Sequence, residues 1–232
     1  MQESYLKYVF WSLLVLVLAF ILITSRHAGI TCDEVLHYGQ SEAVLNYFLT
    51  GGADKAALHN SVWHLAYYGQ SYDNIVTFIA HWLDIDDIYS FRHIMSSIAG
   101  WLVIVVTALF ARWLSGYGTA FIVILLFAVT PSFIGHSHNN LKDIPFALGY
   151  ISTAFFIVRF VKSGNRKPLS DIVMLTLSIA LTISIRAAGA VVILYSFFFV
   201  ATYGLTEYLQ GRKIDRKELF NKTSILVLIS FT

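Results

Sequence analysis

Residues 171–209 read DIVMLTLSIALTISIRAAGAVVILYSFFFVATYGLTEYL, and Arg186 is the one charged residue between Asp171 and Glu207. As a single helix this stretch would be about 58 Å long at 1.5 Å per residue, far more than the ~30 Å of hydrocarbon in a bilayer. Its flanks decide how it folds. Arg159, Lys162, Arg166 and Lys167 precede it, and Arg212, Lys213, Arg216 and Lys217 follow it. Basic flanks stay on the cytoplasmic side of a membrane. The chain must therefore cross an even number of times between them. Two short helices joined by an outer turn at Arg186-Ala187-Ala188-Gly189 meet this condition.

The same reading extends in both directions. The chain of 232 residues is 57% hydrophobic and 13% charged, with a mean hydropathy of +0.67. Soluble domains carry about 25% charged residues. A soluble fold of this length could not hide so much apolar surface. Val9 to Thr24 is an apolar run without a small-residue cleavage site after it, and reads as an uncleaved anchor. Further spans are expected near His93–Leu114, Thr119–Gly135 and Ile144–Val161. Ser224 to Thr232 begins a seventh span, so the sequence is expected to be the N-terminal portion of something longer. The predicted fold is all-α: a multi-pass transmembrane helix bundle. The single cysteine, Cys32, excludes an internal disulfide. The net charge of +2 is small and says nothing about nucleic acid; for a membrane bundle no nucleic-acid partner is expected.

With the N-terminus inside, the inner segments hold Lys7, Arg112, the two basic flanks and Lys222. Arg26, Lys55, Arg92, Lys142 and Arg186 are left outside, which satisfies the positive-inside rule. All eight histidines fall outside, with most of the acids. The outer side is therefore where the polar chemistry is expected. Its largest part is the first loop, residues 25–92. Two stretches of that loop have helical apolar spacing: Val44, Leu45, Phe48 and Leu49, and Ile75, Val76, Ile79, Trp82 and Leu83. Neither is long enough to span; both are predicted either to lie in the interface plane, apolar face towards the membrane lipids, or to pack on the bundle, and either way they hold the loop close to the membrane surface.

Two outer clusters carry candidate chemistry. Thr31-Cys32-Asp33-Glu34-Val35-Leu36-His37-Tyr38-Gly39 follows the first span. By itself an acid pair there is equally a set of helix-capping acids. The second cluster, Pro131-Ser132-Phe133-Ile134-Gly135-His136-Ser137-His138-Asn139-Asn140-Leu141-Lys142-Asp143-Ile144-Pro145, lies between two apolar spans. Polar groups at membrane depth are costly and mark sites. Asp143 also suits the first turn of the following helix, with Pro145 beside it.

The first cluster resembles the first-loop motif of protein O-mannosyltransferases, with Leu36 as an extra residue before His37. Asn139-Asn140-Leu141-Lys142-Asp143-Ile144-Pro145-Phe146 resembles bacterial family 39 glycosyltransferases. Both belong to a superfamily of multi-spanning enzymes that use polyprenyl-phosphate sugars. The resemblance implies that residues 1–232 are the N-terminal part of one transmembrane glycosyltransferase domain. The expected setting is a bacterial inner membrane with the site facing the periplasm. The implied reaction is inverting transfer from a polyprenyl-phosphate sugar donor to a hydroxyl on an acceptor protein, glycan or lipid. A carboxylate must take the hydroxyl proton, and cations must stabilise the departing phosphate. Asp33 is the candidate base, Glu34 an assisting group and Asp143 the second acid, which could serve the acceptor or a divalent cation. Lys142, Arg92 and Arg186 are the cations available for phosphate, and His138 and Asn140 are candidate substrate-binding groups.

Two other classes fit some of these residues. A membrane transporter would also place Asp143 and Arg186 near membrane depth, but the sequence has no internal repeat. A metal site could use His136 and His138 with Asp143 or His37, although two histidines two apart are a weak signal and no dedicated metal site is assigned. Arg186 carries the more specific argument. Asp171 to Ile185 is only about 22 Å long as a helix, so Arg186 should sit below the outer surface. A guanidinium there needs an anion: Asp33, Asp143 or, best suited to a two-pronged grip, a lipid phosphate.

Overall fold

A computed structural model describes residues 2–59, 62–67, 69–162, 169–211 and 216–230; Arg166, Lys167, Arg212 and Lys213 of the basic flanks lie outside them. The described residues are helical, with no strand among them. The helices are α1 (Gln2–Ser25), α2 (Cys32–Leu49), α3 (Ser71–Trp82), α4 (Ile88–Ser115), α5 (Tyr117–Ala128), α6 (Pro131–Asn139), α7 (Asp143–Lys162), α8 (Leu169–Ile185), α9 (Val191–Leu209) and α10 (Arg216–Ser230). The segments containing α1, α4, α7 and α9 are long and apolar enough to cross a bilayer. They expose Leu16, Leu194 and Phe198, which suits contact with lipid and not water.

Helix α4 is the centre. On one side Phe10, Leu14, Val17 and Ile21 recur along one face of α1 and pack with Ile104, Ala108, Ala120 and Ile124. The Trp101 indole donates to the Leu14 carbonyl at 2.9 Å across that contact. On the other side Phe155, Ile157 and Phe160 of α7 meet Leu175 and Ile179 of α8 and Val192 and Val200 of α9. Gly149 lets α7 and α8 touch backbone to backbone: a Cβ there would meet Thr182 Oγ1 at 2.5 Å and its amide nitrogen at 3.1 Å.

Two elements differ from expectation. The third span is not one straight helix, because α5 ends at Ala128 and α6 leaves it at 70°. Pro131 opens α6 and its ring disfavours helical backbone at Thr130, which is extended (φ −93°, ψ 101°). The second difference is on α3. Ile75 and Trp82 face outward with Phe78, whereas Val76 is fully buried with Ala80. The exposed stripe is thus Ile75, Phe78 and Trp82, one side of a helix too short to span. In the second crossing α4 begins at Ile88, capped by Asp87, whose side chain accepts from the Ser90 amide at 3.1 Å. Arg92 and His93 therefore lie on its first turns. The two short helices after Lys162 are α8 and α9, joined through Arg186 and a 3₁₀ turn at Ala187–Ala190.

Helix directions follow from end contacts. Arg112 lies over the rings of Phe10 and Tyr117, and Lys162 over Trp113. Arg159 pairs with Asp171 at 2.9 Å. These basic residues share one end of the bundle. The opposite end gathers Thr24, His138, Asp143 and Arg186 with the loop helices α2 and α3.

Candidate active site

Thr31 caps α2: its hydroxyl accepts from the Glu34 amide at 3.3 Å, while a Glu34 carboxylate oxygen accepts from the Thr31 amide at 3.4 Å. This reciprocal pair points the two neighbouring acids in different directions. Glu34 turns inward and its side chain is 1% exposed. Its carboxylate lies 3.2 Å from His93 Nε2 and 3.7 Å from Arg92 Nε. Asp33 turns outward, with a side chain 79% exposed.

The next layer is a closed ion network. Arg92 donates from Nη1 to Asp73 Oδ1 at 2.5 Å and from Nη2 to Asp73 Oδ2 at 3.3 Å, with both residues buried. Its guanidinium also lies over the Tyr38 ring, 5.1 Å from the centroid. Burial and a hydrogen bond to Glu42 push the Tyr38 phenol up to about 12, so it stays a donor. Tyr72 on α3 donates to the Met95 carbonyl at 2.9 Å, and burial raises its phenol to about 12. α2, α3 and the start of α4 are thereby locked together.

Above this network lies a cavity of about 250 Å³. Asp33 and His37 line one wall and His136, Asn140 and Lys142 the other, so the two sequence clusters face each other. Lys142 Nζ is 3.9 Å from Asp33 Oδ2 and 3.4 Å from His37 Nε2. Asn140 closes α6 and opens α7: its Oδ1 accepts from the amides of Lys142 (3.2 Å) and Asp143 (2.7 Å). Its Nδ2 donates to Asp143 Oδ2 at 3.0 Å. The other Asp143 oxygen accepts from Arg186 Nη2. Arg186 is partly buried, stacks over Phe146 at 5.7 Å, and has a buried Nε without a hydrogen-bond partner among the described residues.

Asp33, Asn140 and Lys142 therefore meet at the cavity; Asp143 stands one hydrogen bond away from it, through Asn140, and Arg186 a second, through Asp143. Of the other expected site residues, Glu34 and Arg92 also line the cavity but are committed to partners in the ion network, and His138 lies off it. His138 is held between Thr24 Oγ1 (3.1 Å) and Ser97 Oγ (3.2 Å), tying α6 to α1 and α4 and away from the cavity lining. Arg92 has both terminal nitrogens committed to Asp73, which neutralises its charge. Glu34 is committed to the cap, His93 and Arg92. His136 and His138 point to different surroundings, and no group of three or more His, Cys, Asp or Glu side chains among the described residues is placed to hold a metal ion. Sequence alone does not single out Asp73 or Gln70. Asp73 shares the spacing of Val76, Thr77 and Ala80, the buried face of α3, and an acid in that register signals an inward partner.

The geometry combines an exposed carboxylate, a lysine beside it and an arginine–carboxylate pair at the same end of a membrane bundle. A family model described as dolichyl-phosphate-mannose-protein mannosyltransferase matches residues 86–232, which takes in Arg92, Lys142, Asp143 and Arg186; Asp33 lies before the matched segment. No curated protein and no solved structure matches the chain.

Proposed function

The chain belongs to the dolichyl-phosphate-mannose-protein mannosyltransferase family, a family of membrane glycosyltransferases, and from that premise we propose that it moves a sugar from a polyprenyl-phosphate carrier to an acceptor hydroxyl at the outer face of the membrane, with inversion. The observation that carries this reading is the placement of Asp33, solvent-reachable, against Lys142 in one cavity, with the Asp143–Arg186 pair tied to its wall through Asn140. Asp33 takes the proton of the acceptor hydroxyl as its oxygen attacks the anomeric carbon. The bond from that carbon to the phosphate oxygen breaks on the opposite face, and the electron pair leaves with the polyprenyl phosphate. Lys142 and Arg186 offset the charge that develops on the phosphate. Asn140 holds Lys142 and Asp143 in register at the start of α7.

The donor's tail has a matching surface. An apolar groove of about 690 Å³ runs between α7 and α9, lined by Tyr150, Ile157, Val192, Leu194 and Phe198. It is linked to the charged end by rings: Arg186 lies over Phe146, Phe146 packs on Tyr150 at 6.3 Å, and Tyr150 meets Tyr195 edge-on at 6.1 Å. A phosphate at Arg186 would thus sit at the head of a groove suited to an isoprenoid chain.

The test is transfer from a β-linked polyprenyl-phosphate sugar in membranes that contain the whole protein. The expected product carries the α-configuration. A β-linked product would overturn the single displacement. Absence of transfer with every polyprenyl-phosphate hexose and pentose, from protein that binds the donor, would overturn the enzymatic reading.

A further inference from the structure

Gln70 occupies an unusual place. Its backbone is left-handed (φ 31°, ψ 38°), a region that non-glycine residues seldom adopt. Gly69 before it runs against the outer end of α8: a Cβ there would come within 2.1 Å of the Ser184 carbonyl oxygen. The Gln70 amide donates to the Ile185 carbonyl at 3.4 Å, and its own carbonyl accepts from the Asn74 amide at 3.0 Å. The outer loop is pinned in this way to the residue that precedes Arg186, with the Gln70 side chain buried beneath α2.

The side chain's bonds settle one another in sequence. Gln70 Nε2 lies 3.1 Å from the His37 carbonyl oxygen, which can only accept, so this atom is the donor nitrogen. It also donates to Ser41 Oγ at 3.0 Å. Gln70 Oε1 then faces His37 Nδ1 at 2.8 Å, and Nδ1 must carry the proton. In a neutral ring Nε2 is left with a lone pair, and that lone pair faces the Lys142 ammonium at 3.4 Å.

We propose that Gln70 is a positioning residue that holds His37 in its Nδ1–H tautomer and, through the His37 Nε2 lone pair, keeps the Lys142 ammonium beside Asp33. The part concerning Asp33 and Lys142 rests on the transferase reading; the tautomer does not. Protonation of His37 replaces the lone pair by an N–H aimed at an ammonium, and two like charges repel. Lys142 then leaves its place. The other charged or titratable groups that line the cavity with His37 and Lys142 are Cys32, Asp33 and Glu34 on the helix of His37, Asp73 on α3, Arg92 on α4 and His136 on α6.

Two measurements separate this from a packing role. The first is ¹⁵N NMR of histidine-labelled whole protein in nanodiscs, with the His37 signals assigned by their loss in His37→Gln. At neutral pH the wild-type ring is expected to show a protonated Nδ1 and an unprotonated Nε2, and Gln70→Ala to show a mixture of tautomers. A protonated Nε2 in the wild type, or an unchanged pattern in Gln70→Ala, overturns the proposal. The second is the pH profile of sugar transfer by Gln70→Glu. A carboxylate against Nδ1–H favours the imidazolium, so transfer by the variant should fail from a higher pH than the protonation of Asp33 sets in the wild type, moving the acid limb upward. A lowered rate at all pH values with the limb unmoved overturns the link to Lys142. If Gln70→Glu does not fold, the wild-type tautomer still decides the assignment. A correct tautomer without any sugar transfer would count against the transferase reading and not against this assignment.

Discussion

Arg92 grips Asp73 through two parallel hydrogen bonds, at 2.5 and 3.3 Å, in a place where neither side chain reaches solvent. The pair joins α3 in the outer loop to the first turns of α4. Glu34 completes it from α2, at 3.7 Å from Arg92 Nε. An ion pair taken out of water in this way adds little net stability, but losing one partner strands a buried charge. Its evident effect is to fix the loop helices α2 and α3 to the start of α4 under the cavity.

Removing one partner should therefore destabilise the docking of α2 and α3 on α4 by about 3–5 kcal/mol. Arg92→Met strands both Asp73 and Glu34, whereas Asp73→Asn leaves Arg92 beside Glu34. The arginine variant should be the worse of the two, and Arg92→Lys should recover little, since an ammonium cannot form the two-pronged contact. Thermal unfolding in detergent reads the order. Equal melting temperatures for wild type and Arg92→Met would show that the network does not hold the loop.

Asp33→Asn is expected to lower transfer by about 10²–10⁴-fold and to leave the melting temperature unchanged. The amide keeps the shape and loses the basicity, and a side chain 79% exposed contributes little to packing. Near-normal turnover would remove Asp33 as the base. Glu34→Gln should differ in kind, because Glu34 accepts the α2 cap bond and faces His93: its loss of rate should come with a loss of stability.

The spans were legible because apolar length and basic flanks act along the chain, and a membrane helix needs both. The turn at Arg186 followed from the same arithmetic. The bend between α5 and α6 was not read, although Pro131 was in view, since hydropathy is blind to the direction a helix takes. The site was legible as two clusters but not as a set of roles. Nothing in the order Asp33-Glu34 says that the N-cap at Thr31 will turn one acid outward and the other in. Nothing in His136-Ser137-His138 says which histidine faces α1. Arg92 carried a visible charge, but its commitment to Asp73 depends on the docking of α3, a tertiary event that the periodicity of α3 hints at only through the register of Asp73.

The two ends of the bundle should lie on opposite sides of the membrane, as the positive-inside rule requires. Cys32 is exposed and can serve as a native probe of the outer side. It should react with an impermeant maleimide added to sealed, outward-facing cells. In a Cys32→Ser background, Lys55→Cys should also react and Gln210→Cys should not, until the membrane is opened. Equal labelling of positions 55 and 210 in sealed cells would refute the arrangement.

Arg186 should be the group on which donor affinity depends most. In the free protein its Nη2 is held by Asp143, while its Nε is buried without a partner among the described residues. A guanidinium so placed has donors to spare for an anion that arrives from the groove between α7 and α9. A phosphate would exchange for Asp143 or share Arg186 with it. Two consequences separate this from a merely structural ion pair. Arg186→Ala removes charge-assisted hydrogen bonds worth about 1.5–3 kcal/mol, or roughly 10- to 100-fold in donor affinity. Arg186→Lys should fall between, because a point charge cannot match two phosphate oxygens at once. Asp143→Asn withdraws a competing anion, so donor affinity should hold or rise even where transfer slows. If the pair were only structural, Asp143→Asn and Arg186→Ala would lower the melting temperature alike and leave donor affinity alone. Calorimetric titration of a short-chain polyprenyl phosphate into purified protein decides the matter. Equal affinities across wild type, Arg186→Ala and Arg186→Lys would exclude Arg186 as the phosphate ligand.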